Sequence, residues 1–255
     1  MTPGLPPAHR STTPGRPLLR AGTAQSTREQ HEHRAPRDMQ ALIAAVLAGV
    51  TVHLLSIAVS GRLLGARFSV LSIGFGPALL DLGRLRIALL PLGGYVGFDD
   101  LRQPGEQGAK PPSTLDRLPL AQRLAVALSG CAVLVLLACA CLGLEGLRAF
   151  AAGPGQILWG ALTPLGDGPR LLAQADSELR TARPVQVLGL VAAKLAAFNI
   201  LPLPMCNGGA ALAMIGRHLG LARWWPRRAD DACGMFYLLG ALSWLLSLLI
   251  YRMEA

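Results

Sequence analysis

The sequence predicts an all-helical membrane protein of about four transmembrane helices. A membrane-associated β-hairpin or ribbon follows the first helix, and the third helix is broken by prolines. Three observations lead there. The 255 residues are 52% hydrophobic, with a mean hydropathy of +0.42. Only 15% are charged, against about 25% in soluble domains. Four stretches reach or approach the roughly 20 apolar residues that cross a bilayer.

Residues 1–38 are rich in Pro, Ser, Thr, Arg and Gly and show no apolar period. They read as a disordered basic tail preceding a membrane domain over 39–255. His31-Glu32-His33 in this tail lacks the i, i+4 spacing of a helical zinc pair and reads as solvated polar sequence. The first span runs from about Met39 to Gly61, with His53 its only ionisable side chain. LRIALLPLGGYVGF, from Leu85 to Phe98, is apolar but interrupted by a proline and a Gly-Gly pair, which suggests a hairpin with its turn at the glycines. Such backbone sits at membrane depth only where protein or a cavity shields it. The second span covers about Leu124 to Leu144. The third starts near Val185 and is broken by Pro202 and Pro204. An apolar stretch from after Asn207 to about Ile215 is too short to cross and reads as a half-helix. The fourth span covers about Ala232 to Tyr251.

The net charge of +9 comes almost entirely from arginine, since Lys110 and Lys194 are the only lysines. These arginines are scattered between apolar spans and form no patch, which argues against nucleic-acid binding. The loop between spans one and two holds Arg62, Arg67, Arg84, Arg86, Arg102, Lys110, Arg117 and Arg123, and the loop before span four holds Arg217, Arg223, Arg227 and Arg228. The loop between spans two and three balances its arginines with acids. This asymmetry places the first and third loops in the cytoplasm and both termini outside. Trp224 and Trp225 beside those arginines read as an interfacial belt. The five cysteines, Cys131, Cys139, Cys141, Cys206 and Cys233, lie in or beside apolar segments without CxxC spacing and read as small buried hydrophobes.

Three stretches carry a resemblance. VTVHLLSIAVSGRLLGARFSVLSIGFG starts at Val50, ALLPLGGYVGF at Ala88, and NILPLPMCNGG at Asn199. In order and spacing they resemble the first catalytic helix, the PLGGYV ribbon and the NxxPxPxxDGG signature of the site-2 protease family of intramembrane zinc metalloproteases. The resemblance implies a four-span helical fold in a bacterial inner or plasma membrane. It also implies a zinc ion bound by the two histidines of HExxH and the aspartate of DGG, with the glutamate as general base for a metal-bound water.

The positions that match those roles have changed. His53 matches the first histidine, Leu54 stands at the glutamate, Ile57 at the second histidine, and Asn207 at the aspartate. The GPxxN motif expected in the second span reads Gly130, Cys131, Ala132, Val133, Leu134. One imidazole beside a neutral amide is a poor zinc site, and leucine cannot move a proton. Cys206, next to Asn207, is a candidate replacement ligand. Lys194, a charged group inside the third span, is a functional-site candidate by default. On this reading its ammonium stands in for the lost zinc charge beside His53 and Asn207.

The sequence therefore points to a pseudoprotease without a bound cofactor. The expected partners are the lipid bilayer and a membrane protein or transmembrane peptide held along Gly93, Gly94 and Tyr95. Asn199, Pro202 and Pro204 shape the third span where it meets that partner. The competing reading is an active divergent zinc endopeptidase cleaving transmembrane segments, for which Asp81, Asp99 and Asp100 of the first loop serve only if that loop folds inward. A purely structural membrane subunit is the third.

Overall fold

The computed structural model describes residues 21–99, 113–203, 205–221 and 227–254, with side chains from residue 39 onward except at 75, 90–92 and 227–233. Pro204, Trp224, Trp225, Arg223, Arg102, Lys110 and Asp100 lie outside the described residues. So do the side chains of His31, Glu32, His33, Arg227, Arg228 and Cys233. The chain divides into two units, Met1–Met39 and Gln40–Ala255, and the elements that build the site belong to the second.

Helix α1 spans Ala21–Leu63. It begins inside the segment whose composition reads as tail, and its Met39–Leu63 portion is long and apolar enough to cross a membrane. Ser56 and Ser60 lie in that portion. Their hydroxyls donate back to Val52 O and Ser56 O, at 2.6 Å each, so neither presents an unpaired donor to hydrocarbon. The helix closes on Gly65 at φ +94°, with Ala66 N donating to Gly61 O, a left-handed ending that favours glycine.

Two 14-residue strands follow, β1 (Phe68–Asp81) and β2 (Leu85–Phe98), paired antiparallel. The turn lies at Leu82–Arg84, where Gly83 at φ +77° donates its N–H to Asp81 Oδ1. The expected turn at Gly93-Gly94 is therefore corrected: both glycines lie within β2. Gly94 is there for close approach, because a Cβ would run into Ser72 O and lie 2.5 Å from Leu54 Cδ1. The ribbon is irregular. Leu71–Ile73 pairs with Gly94–Val96 on one side and with Leu85–Ile87 on the other. It packs on α1 through Leu54, Val50, Ala58 and Leu71, and at Gly61, where a side chain would meet Phe98 Cε1 at 2.6 Å.

A short 3-10 turn, Thr114–Arg117, clamps the base of the ribbon. Thr114 Oγ1 donates to Arg67 O and accepts from Arg67 N, while Thr114 N donates to Asp99 O. Asp116 accepts from Ser113 N at 2.8 Å and from Ser113 Oγ at 2.9 Å, and Arg123 Nη1 is 3.9 Å away.

Helices α2 (Leu120–Leu142), α3 (Leu144–Leu162) and α5 (Pro184–Asn199) form the core bundle. Leu134 and Ala138 of α2 meet Ala192, Ala193 and Ala196 of α5, all fully buried. Helices that cannot rely on water exclusion associate through small residues that bring backbones together. Gly189 meets Cys141 Cβ in this way, and Gly153 meets Ala197. Helix α4 (Asp167–Thr181) is charged, with Arg170–Asp167 and Arg180–Asp176 pairs on its surface. Helix α6 spans Asn207–His218, and α7 spans Arg227–Glu254. One stripe of α7 donates to the α3–α4 pair: Trp244 Nε1 to Ile157 O, Ser243 to Ala161 O, Ser247 to Pro164 O, and Tyr251 OH to Asp176 Oδ2.

The four-span count is only partly matched. Among the described residues three helices reach crossing length: Met39–Leu63, Leu120–Leu142 and Gly234–Glu254. Helix α5 is apolar but 16 residues long, about 24 Å against a hydrocarbon core of about 30 Å. The chain between spans two and three, which reads as loop, forms α3 and α4.

Two outcomes follow. Gly153→Ala should cost about 1–3 kcal/mol in detergent unfolding by overpacking. Ala197→Gly should cost less in that background than alone, and additive effects would refute the contact. Burial pushes the Asp116 carboxyl up, but the Ser113 hydrogen bonds and the charges of Arg217 and Arg123 outweigh it and hold the group below its ordinary 3.8. Its contribution is thus complete above 3.8 and disappears as pH falls through the lower folded value. Amide exchange at residues 113–117 should rise below that pH in the native protein, and at neutral pH in Asp116→Asn.

Candidate functional site

Seven segments border a cavity of about 340 Å³. Helix α1 contributes His53, Leu54 and Ile57, and β2 contributes Gly93 to Val96 with Phe98. Val126 and Ala127 come from α2, and Leu195, Phe198 and Asn199 from the end of α5. Met205, Cys206 and Asn207 come from the turn into α6. Stretches about 150 residues apart in sequence, at His53 and Asn207, thus share one wall-to-wall space. The 3-10 turn adds Leu115 and α7 adds Tyr237, whose ring lies 6.5 Å from that of Phe198.

His53 is 5% exposed, and its Nδ1 is buried without a hydrogen-bond partner among the described residues. The ring lies against the backbone of Gly130, where a Cβ would come within 2.5 Å of Nδ1 and 2.6 Å of Cε1. Asn207 approaches the imidazole from α6. Its Nδ2 donates to Ala127 O on α2, which leaves the carboxamide oxygen for the ring. Helix α2 thus supports both polar residues, one by an absent side chain and one by a carbonyl.

Leu54 is 3% exposed and wedged against Gly94 of the ribbon. Ile57 also lines the cavity. Asn199 Nδ2 donates to Leu195 O at 2.9 Å and so caps its own helix. Pro202 is exposed and lines no wall. Gly208 brings the start of α6 onto Ile200 O, too close for a Cβ. Lys194 lies elsewhere than beside His53 and Asn207: it turns to α3, where its ammonium donates to Ala149 O at 3.2 Å and to Gln156 Oε1. Its position on α5 faces α3, whereas Leu195, Phe198 and Asn199 face the cavity. It therefore supplies no charge at the cavity wall.

A catalytic zinc site uses three protein donors and an open fourth position. The polar side chains lining the cavity are His53, the Cys206 thiol, the amides of Asn199 and Asn207, each already donating to a backbone carbonyl, and the phenols of Tyr95 and Tyr237. Among the described residues, no three His, Cys, Asp or Glu side chains cluster closely enough to hold an ion. That donor set does not fit tetrahedral zinc, and no hydrolytic step is derived through it.

Sequence reasoning placed His53, Leu54, Ile57, Asn207, Cys206 and the ribbon glycines, and the fold brings them together. It missed the wall formed by Ala127, Leu115 and Tyr237. For Gly130 the signal was present, as the surviving glycine of the altered second-span motif.

A β-ribbon laid on a histidine-bearing membrane helix, facing a helix break that carries an NxxPxP sequence, defines a membrane protein of the site-2 protease type. The chain belongs to peptidase family M50, whose model matches residues 41–237. It is thus an integral membrane protein of that family. The match runs from α1 to the start of α7 and includes every cavity-lining element. No curated protein matches the chain.

Gly130→Val should displace the imidazole. Chemical modification of His53 by an imidazole-acylating reagent, slow in the native protein, should become fast, and unchanged reactivity would contradict the contact.

Proposed function

We propose that this multi-pass member of family M50 binds a membrane-embedded partner in extended form along its ribbon and does not cleave it. One observation carries the reading. Beside the lone imidazole, the positions that a metalloprotease uses for its base and second ligand are Leu54, packed on Gly94, and Ile57. No carboxylate lines the cavity among the described residues, so the glutamate base of a metalloprotease has no counterpart there.

The ribbon needs no metal to bind. Gly94–Phe98 pairs with Phe68–Ile73 along one side only, and its residues border the cavity. A free strand edge beside an apolar cavity suits an added peptide strand, with main-chain hydrogen bonds for affinity and side-chain pockets for selectivity. Tyr95, 47% exposed, lies on that edge. A second reading, cleavage through an altered metal site, rests on the unpartnered Nδ1 of His53, which a ligand would satisfy.

The full chain purified from membranes in mild detergent should hold zinc far below one ion per molecule. A photocrosslinker in place of Tyr95 should capture an extended apolar peptide and leave it intact. Leu54→Glu, Ile57→His and Asn207→Asp together should raise zinc to about one ion per chain if the scaffold is preserved. Stoichiometric zinc in the native chain, or peptide cleavage abolished by His53→Ala, would establish the second reading instead.

A further inference from the structure

Lys194 raises a problem the cavity does not solve. At the 1.5 Å rise of an α-helix it lies roughly 16 Å beyond Arg183, the charged residue at the start of α5. That is near the middle of a hydrocarbon core about 30 Å thick. A charge at such depth is disfavoured unless it is paired. The side chain does not snorkel out along its own helix. Its stem crosses Gly153 of α3, where a Cβ would sit 3.8 Å from Lys194 Cδ, and its ammonium bonds Ala149 O and Gln156 Oε1.

Both acceptors are neutral. An ammonium has three N–H groups, and these two acceptors are its partners among the described residues. No described carboxylate forms an ion pair with it. Among the described acids Glu178 is near enough to act on it through space, and that carboxylate accepts from Gln174 on α4. Next to Gln156, Gly155 is exposed, with no atom within 4 Å of where its Cβ would stand. The surface beside the cluster is uncovered by the described residues.

We infer that Lys194 is the docking point for an aspartate or glutamate at mid-membrane depth in the transmembrane helix of a different protein. The partner is not a second copy. The three crossing-length helices of this chain contain no acidic residue except Glu254, at the very end of α7. A carboxylate from a foreign helix takes the third ammonium proton and supplies the missing negative charge. This surface lies on the α3 side of α5, away from the cavity, so the inference stands apart from the ribbon reading.

The test uses the full chain in lipid nanodiscs and a fluorescent single-span peptide of leucine and alanine with one central aspartate. Energy transfer should report association at least tenfold tighter than for the same peptide with central leucine, or with its aspartate moved to the helix end. Lys194→Gln should abolish the difference, and Lys194→Arg should keep it. If Lys194→Gln fails to fold, Gln156→Leu serves in its place. It strips a neutral acceptor from the ammonium and should tighten the aspartate peptide, and weakening would count against the inference. Equal binding of aspartate and leucine peptides overturns it. So does competition by the extended peptide captured at Tyr95, which would place the helix in the cavity.

Discussion

The fold around the site depends on one contact: the His53 imidazole against the bare backbone of Gly130. A polar ring inside a membrane bundle must be enclosed, because hydrocarbon offers no substitute for water. Enclosure here requires α2 to pass closer to α1 than any side chain at position 130 allows. Once α2 is there, its Ala127 carbonyl can receive Asn207. That bond fixes the start of α6, and the tight turn through Gly208 sets where α5 must end. The ribbon closes the remaining side through Gly94 against Leu54. The cavity is thus the space left by a chain of close approaches, each permitted by a glycine or by a small wedge of aliphatic carbon.

Much of this was legible in the residues. The long apolar runs identified α1, α2 and α7. The prolines of NILPLP marked the break between α5 and α6, since the ring removes a donor and clashes with the preceding turn. The ribbon's apolar strand with its embedded glycines was visible, but the role of the glycines was not. Gly-Gly signals a turn when only neighbours in sequence are considered. Here the pair lies mid-strand because Ser72 and Leu54, distant in the chain, press against it. Helices α3 and α4 were hidden for a related reason. The Gly153-Pro154-Gly155 interruption and the balanced charges of 167–181 obscure any apolar period, and the helices form through contacts with α5 and α7.

Lys194 shows the same limit most clearly. A lone charge in a span draws attention wherever it occurs, and in the sequence the altered motif positions His53 and Asn207 are its expected destination. One residue, about 100° around the helix, decides the matter. Leu195, Phe198 and Asn199 reach the cavity, while Lys194 and Ala197 face Gly153 on α3. Which side of α5 meets which neighbour depends on alanines and glycines that carry almost no individual signal. The sequence therefore identifies the charge but not its surroundings.

Helix α7 is attached in an unusual way. Only 6% of its apolar window is buried, yet Ser243, Trp244, Ser247 and Tyr251 fasten one flank to α3 and α4. With no water to exchange for these bonds, the helix cannot creep along its neighbours by small steps, because each intermediate position would strand several donors at once. It moves with the α3–α4 pair as one piece or stays put. Tyr237, near its opposite end, sits tilted beside Phe198, so α7 ties a helical pair that lines no part of the cavity to one of the cavity's walls.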